Sequence, residues 1–143
     1  MFVGRYDQNM DAKGRVNIPS KFRSSLGETF IVATGDGKYA TIYPMDEWEA
    51  FMERALSEVE PDERPDFVRY IQNFATECDL DSQGRVCIPP KVRVKVELTK
   101  EVVVVGAHNK IEVWSLDGWN EYHANEIEPD EAKFKNILKR CSF

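Results

Sequence analysis

The chain of 143 residues carries 25 acidic against 19 basic side chains, a net charge of −6, which argues against a uniformly basic nucleic-acid binder. Its three cysteines, Cys78, Cys87 and Cys141, are far apart with no Cys-x-x-Cys and one left over from any pairing, which argues against a disulfide framework or a thiolate zinc site and points to a reducing compartment. No apolar run approaches the ~18 residues of a membrane span, and the first residues lack the basic and apolar regions of a secretory signal, so the expectation is a cytoplasmic protein.

In chain order, alternation puts Tyr6, Gln8 and Met10 on one strand face. Asp11-Ala12-Lys13-Gly14 follows as a type I turn with glycine in the left-handed position. Val16 and Ile18 then point inward, leaving Arg15 and Asn17 outward. Pro19 ends that strand and suits the first turn of a helix, with Phe22 and Leu26 as its buried stripe, Lys21 and Arg23 off it, and Gly27 as a cap. Residues 29–34 and 39–43 predict a hairpin around Gly35-Asp36-Gly37-Lys38, which lacks the spacing of a phosphate-binding loop. Asp46, with Glu49 three residues on, predicts a capping box opening a helix whose apolar face is Trp48, Phe51, Met52, Ala55 and Leu56.

The same order then returns. DAKGRVNIPSKFR, from Asp11, is answered by DSQGRVCIPPKVR, from Asp81. Thr76, Cys78 and Leu80 share a face; Asp81 to Gly84 form the turn; Val86 and Ile88 point in; Arg85 and Cys87 point out. Pro89 opens a helix with Val92 and Val96 buried and Lys91 and Arg93 outside. A second hairpin spans 101–106 and 110–114, and Asp117, Trp119, Tyr122 and His123 echo the Trp48 helix. Two segments stand outside the repeat: a linking helix near Arg64 to Thr76, and a tail helix after Pro129. The tail carries Phe134, Ile137, Leu138 and Cys141 at helical spacing, so it must dock on its own body or on a neighbouring subunit. The expected division is a first repeat over 5–56, a link over 57–75, a second repeat over 76–124 and a tail over 125–143.

Charge is distributed with the repeat. Acidic residues crowd between Asp46 and Glu77 and after Glu121, whereas Lys13, Arg15, Lys21 and Arg23, then Arg85, Lys91, Arg93 and Lys95, lie in or beside the two copies. An arginine just after a tight turn on an outward strand position can bond guanine O6 and N7 together, as a two-stranded ribbon in the major groove requires. Asn17 would lie beside Arg15, while Lys13 at the turn tip and Lys21 and Arg23 on the helix suit phosphates. His108 falls in a turn and His123 on a packed helical face, with no third ligand spaced for a metal. Asp7, Asp11, Asp79 and Asp81 are explained by turns and exposed strand faces. The reading is of a protein that is not an enzyme and has no cofactor, metal, small-molecule substrate or membrane partner.

The pattern D-x-x-G-R-V-x-I-P-x-x-x-R resembles the AbrB-like swapped-hairpin superfamily, in which two copies of the unit exchange hairpins to complete a barrel. Both copies in one chain, with Met1-Phe2-Val3-Gly4 at the start, the Trp48 helix and Phe67-Val68-Arg69-Tyr70, resemble the MraZ family in particular. That resemblance implies an α+β, mainly β fold: an AbrB-like barrel formed by two internal repeats with flanking helices. It also implies a nucleoid-associated transcriptional regulator that forms a ring-shaped homo-oligomer, binds tandem G-rich boxes in double-stranded DNA upstream of the division and cell wall gene cluster, and represses its own operon. The DNA-contacting arginine of the family falls on Arg15, with Arg85 its counterpart. Copy two has Gln83 for Lys13 and Cys87 for Asn17, so copy one is expected to bind DNA more strongly, and Arg85 faces either DNA or another subunit. The alternatives are a different AbrB-like transition regulator or antitoxin, or a ring-forming protein scaffold.

Overall fold

The computed structural model describes Met1–Phe143. Two strands open it, β1 (Phe2–Asn9) and β2 (Arg15–Asn17), followed by α1 (Ser20–Leu26), the hairpin β3 (Thr29–Ala33) and β4 (Ala40–Pro44), and the helices α2 (Met45–Ser57) and α3 (Arg64–Gln72). The second half runs β5 (Ala75–Asp79), β6 (Arg85–Cys87), α4 (Pro90–Lys95), β7 (Glu101–His108), β8 (Ile111–Ser115) and α5 (Leu116–Tyr122). A π turn over His123–Ile127 and a 3-10 turn over Glu128–Asp130 lead into α6 (Glu131–Arg140).

Strand pairing crosses between the repeats. The first strand of each copy pairs antiparallel with the third strand of the other: β1 with β7, from Phe2 opposite His108 to Asn9 opposite Glu101, and β5 with β3, from Asp79 opposite Thr29 to Ala75 opposite Ala33. The two hairpins then meet through β4 and β8, giving one six-stranded sheet in the order β1-β7-β8-β4-β3-β5. Strands β2 and β6 pair only with each other, as a separate two-stranded ribbon. The molecule is therefore α+β with a mostly antiparallel sheet. Its ladder does not close: β1 and β5 are the two ends, and the continuous barrel expected from the sequence is replaced by an open sheet with a ribbon across it.

The core follows from alternation. Phe30 and Val32, Ala40 and Ile42, Val102 and Val104, and Ile111 and Val113 face inward and pack with Val16 and Val86 of the ribbon, with Ile18 and Ile88 just after its strands, with Phe22 and Leu26 of α1, with Val92 of α4 and with Val96 at its C-terminal end. All belong to one cluster drawn from both repeats, and each large aliphatic or aromatic side chain buried there contributes roughly 1.5–3 kcal/mol. The other sheet face is apolar too. Tyr43 packs against Trp48 and Phe51 of α2, and Trp114 against Trp119 and Tyr122 of α5, so the aromatic rings seat those helices on the outside of the sheet.

Gly106 shows how closely the repeats approach. It lies opposite Gly4, and a Cβ on Gly106 would overlap the backbone of Phe2 and Val3, so only glycine lets β1 lie down along β7 at this point. Sequence reading placed a strand here without this reason for its glycine.

Three helices differ from expectation. The linking helix, expected to reach Thr76, ends at Gln72, because Ala75 and Thr76 already pair with Ala33 and Val32 in the β3–β5 ladder. The capping box at Asp46 is absent: α2 begins two residues earlier than an Asp46 cap would place it, after extended Pro44, and Asp46 already lies in its first turn, where its carboxylate accepts only from the Glu47 N–H at 2.9 Å. The expected apolar face of α2 is half-buried rather than buried. The tail helix α6 forms as predicted, but every one of its residues is exposed, with Phe134, Ile137 and Leu138 among the large apolar side chains open to solvent.

Candidate nucleic-acid interface

The ribbon is assembled from two identical pieces of local chemistry. In copy one, the Gly14 N–H donates to the Asp11 carbonyl at 3.0 Å, and the Asp11 N–H to the Arg15 carbonyl at 3.1 Å. The Asp11 side chain fills the turn, with Oδ1 accepting from the N–H groups of Lys13 (3.0 Å) and Arg15 (2.8 Å). Its other oxygen, Oδ2, accepts from Arg15 Nε at 2.6 Å. Copy two repeats each bond: Asp81 Oδ1 takes the N–H groups of Gln83 and Arg85, both at 2.9 Å, and Oδ2 takes Arg85 Nε at 2.8 Å. Gly14 and Gly84 adopt φ values of +82° and +76°, the left-handed conformation the turn requires.

The two pieces then interlock. Val16 pairs with Val86 at the centre, both completely buried, and the Ile18 and Ile88 N–H groups donate to the Gly84 and Gly14 carbonyls at 3.0 and 2.9 Å. On the outward face, Arg15 stands opposite Cys87 and Asn17 opposite Arg85. One face of one ribbon thus carries both arginines. In each, Nε is held by its own aspartate while the two terminal nitrogens have no protein partner, so the end of the guanidinium is presented with its direction fixed. A planar pair of donors with little rotational freedom to lose suits the two acceptors of a guanine edge.

Sequence reasoning passed over Asp11 and Asp81 as turn residues only. The signal was present in the twice-repeated Asp-x-x-x-Arg spacing, which brings the carboxylate back onto the arginine that follows the turn. The same contacts set the charge state of both carboxyls. A backbone N–H from Arg15 or Arg85, reinforced by that residue's side chain, lowers the Asp11 and Asp81 pKa values below their ordinary 3.8 against a smaller opposing effect of desolvation. Since the folded value is the lower one, the carboxylates stabilise the fold above 3.8, and this contribution disappears as pH falls through the lowered value. Urea denaturation of wild type and of Asp81→Asn should therefore show a gap in midpoint at neutral pH that narrows on acidification; a gap constant with pH would contradict this.

The remaining predicted positions separate into two groups. Lys13 at the turn tip and Lys21 on α1 are exposed, flanking the ribbon on the copy-one side. Arg23 is half-buried: its Nε donates to the Ile18 carbonyl at 2.9 Å, and its Nη2 to Asn17 Oδ1 at 3.3 Å. Its guanidinium also lies over Gly84 of the other copy, as Arg93 lies over Gly14, where a Cβ would overlap it. Arg23 and Arg93 are thus clamps across the ribbon, a role that no local pattern announced. His123 stacks on Trp119 with centroids 4.0 Å apart, and no three His, Cys, Asp or Glu side chains converge as metal ligands.

A family model described as "MraZ protein, putative antitoxin-like" matches residues 1–68 and again 73–141, each match covering one ribbon strand and one hairpin. The chain belongs to the MraZ family. Proteins named "Transcriptional regulator MraZ" are similar to it over most of its length. That of Halothermothrix orenii is 44% identical over 123 residues, 85% of this chain and 86% of its own. Those of Desulforamulus reducens and Natranaerobius thermophilus are 40% and 38% identical over 141 residues, covering 96% and 97% of this chain and 98% and 95% of their own. The double match of the MraZ model coincides with the structural repeat, because the strands it aligns are the ones that pair across the ribbon. No helix is long and apolar enough to cross a membrane.

Proposed function

We propose that the chain is a sequence-specific DNA-binding transcriptional regulator that reads double-stranded DNA with the β2–β6 ribbon. The observation that carries this is the pair of arginines, Arg15 and Arg85, braced by Asp11 and Asp81 on one outward face with free terminal nitrogens. Lys13 and Lys21 supply phosphate contacts, Asn17 reads beside the arginines, and Arg23 holds Asn17 and the opposite turn in place. Names of the relatives support regulation of transcription.

The finer reading is that the protein represses its own operon, which includes division and cell wall genes, by binding tandem G-rich boxes as a ring. Exchange of first strands between the repeats favours the AbrB-like hairpin-swapped arrangement, with the repeats over 5–56 and 76–124, and the open apolar side of α6 favours self-assembly. Such a protein works in the cytoplasm at the nucleoid.

Retardation of a duplex with G-rich direct repeats, against a scrambled duplex, tests the reading. Binding should prefer the repeats and weaken with salt, each phosphate neutralised adding roughly −0.9 to the slope of log K against log salt. Lys21→Ala should flatten that slope by about one phosphate's worth and leave sequence preference unchanged. A slope near zero with no preference would favour a protein scaffold instead.

A further inference from the structure

The ribbon is twofold-symmetric in its backbone and in its arginines, but not in the side chains beside them. Rotation about the Val16–Val86 pair carries Arg15 onto Arg85 and Asn17 onto Cys87. Asn17 is a fixed donor: its Oδ1 is taken by Arg23 Nη2, so Nδ2 is the end left for a ligand. Cys87 offers no such group, because its thiol donates to the Lys13 carbonyl at 3.4 Å, and Arg93, the counterpart of Arg23, makes no bond to it. One end of the reading face therefore has an arginine fork and an amide donor, and the other an arginine fork and a sulfur.

We infer that Asn17, set against Cys87, gives the recognised box its direction. This rests on the DNA-reading role proposed above. The Arg85–Asn17 end specifies a guanine next to a base with a major-groove acceptor, guanine, thymine or adenine through its N7, and rejects cytosine, which presents only an N4 donor there. The Arg15–Cys87 end specifies its guanine and makes no comparable demand on the neighbour. A face with identical ends would read a palindrome; this one reads a sequence with a distinct start and finish, as boxes repeated head to tail require. Arg23 is the positioning residue, since it decides which end of the Asn17 amide is free.

The test is selection from randomised duplexes followed by sequencing of the bound pool, for wild type, Asn17→Cys and Cys87→Asn. Wild type should return a non-palindromic motif with cytosine depleted about fivefold to tenfold beside one guanine only, the discrimination of a single hydrogen bond. Asn17→Cys should abolish that depletion and keep both guanines, and Cys87→Asn should create it at both ends. A palindromic wild-type motif, or a motif unchanged in both variants, would overturn the inference. Arg15→Ala and Arg85→Ala separate the two ideas: if the motif survives both, the ribbon does not read DNA and the inference falls with that role, whereas loss of guanine preference in these variants with no change in the Asn17 and Cys87 variants sinks directionality alone.

Discussion

Arg15→Ala should abolish sequence-specific retardation while leaving thermal stability almost unchanged. The side chain projects from an outward strand position, and its loss leaves Asp11 with both backbone N–H bonds that hold the turn. What disappears is a preset pair of donors. One bidentate guanine contact contributes about 1–3 kcal/mol of discrimination. If several protomers bind adjoining boxes, the losses compound and specific affinity should fall by orders of magnitude. Arg15→Lys sharpens the result: it keeps the charge but not the planar fork, so salt-dependent binding should persist while the preference for G-rich repeats is lost. Wild-type affinity of the purified Arg15→Ala protein for its operator would show the site to be wrongly placed.

Separating the repeats should be more drastic still. Residues 1–72 and 73–143, produced as two polypeptides, should each fail to give a folded monomer, and mixing them should restore the native spectrum in a one-to-one complex. The reason is that β1 has no partner in its own half, nor has β5, and the ribbon takes one strand from each. Half one alone keeps the β3–β4 hairpin and three helices, with Phe30, Val32 and Ile42 stripped of the Val86, Ile88 and Val102 side of the core. A two-stranded hairpin in water is marginally stable at best, and the whole protein has only about 5–15 kcal/mol to lose. Dispersed amide resonances from either half at monomeric mass would contradict this; a half that folds only by pairing with a second copy of itself would agree with it.

Much of this was legible locally. Two strictly alternating segments ending at Pro19 and Pro89, with glycine four residues into each turn, fixed the inward positions of Val16, Ile18, Val86 and Ile88 and the outward positions of both arginines. Short-range rules suffice there because turn geometry sets the phase of the strand that follows. They failed at Asp46, where extended Pro44 already serves as the helix start and leaves the aspartate no capping position. They were silent on Arg23 lying over Gly84 and on Gly106 against Phe2, since those approaches depend on which distant strands pair. The open ladder has the same origin: periodicity states that a strand has an apolar face, not which neighbour ends the sheet.

One further consequence lies in α2 and α3, which carry the chain from the end of β4 to the start of β5. A ribbon made from two separate polypeptides would assemble in a second-order step and come apart on dilution. Here its two strands are tethered, so their pairing is intramolecular and the same at any abundance of the protein. Only contacts between protomers, for which the exposed apolar residues of α6 are the proposed surface, would respond to how many copies are present. If the ribbon reads DNA as proposed, expression level tunes how many sites are held together, while each reading unit stays intact down to the last molecule.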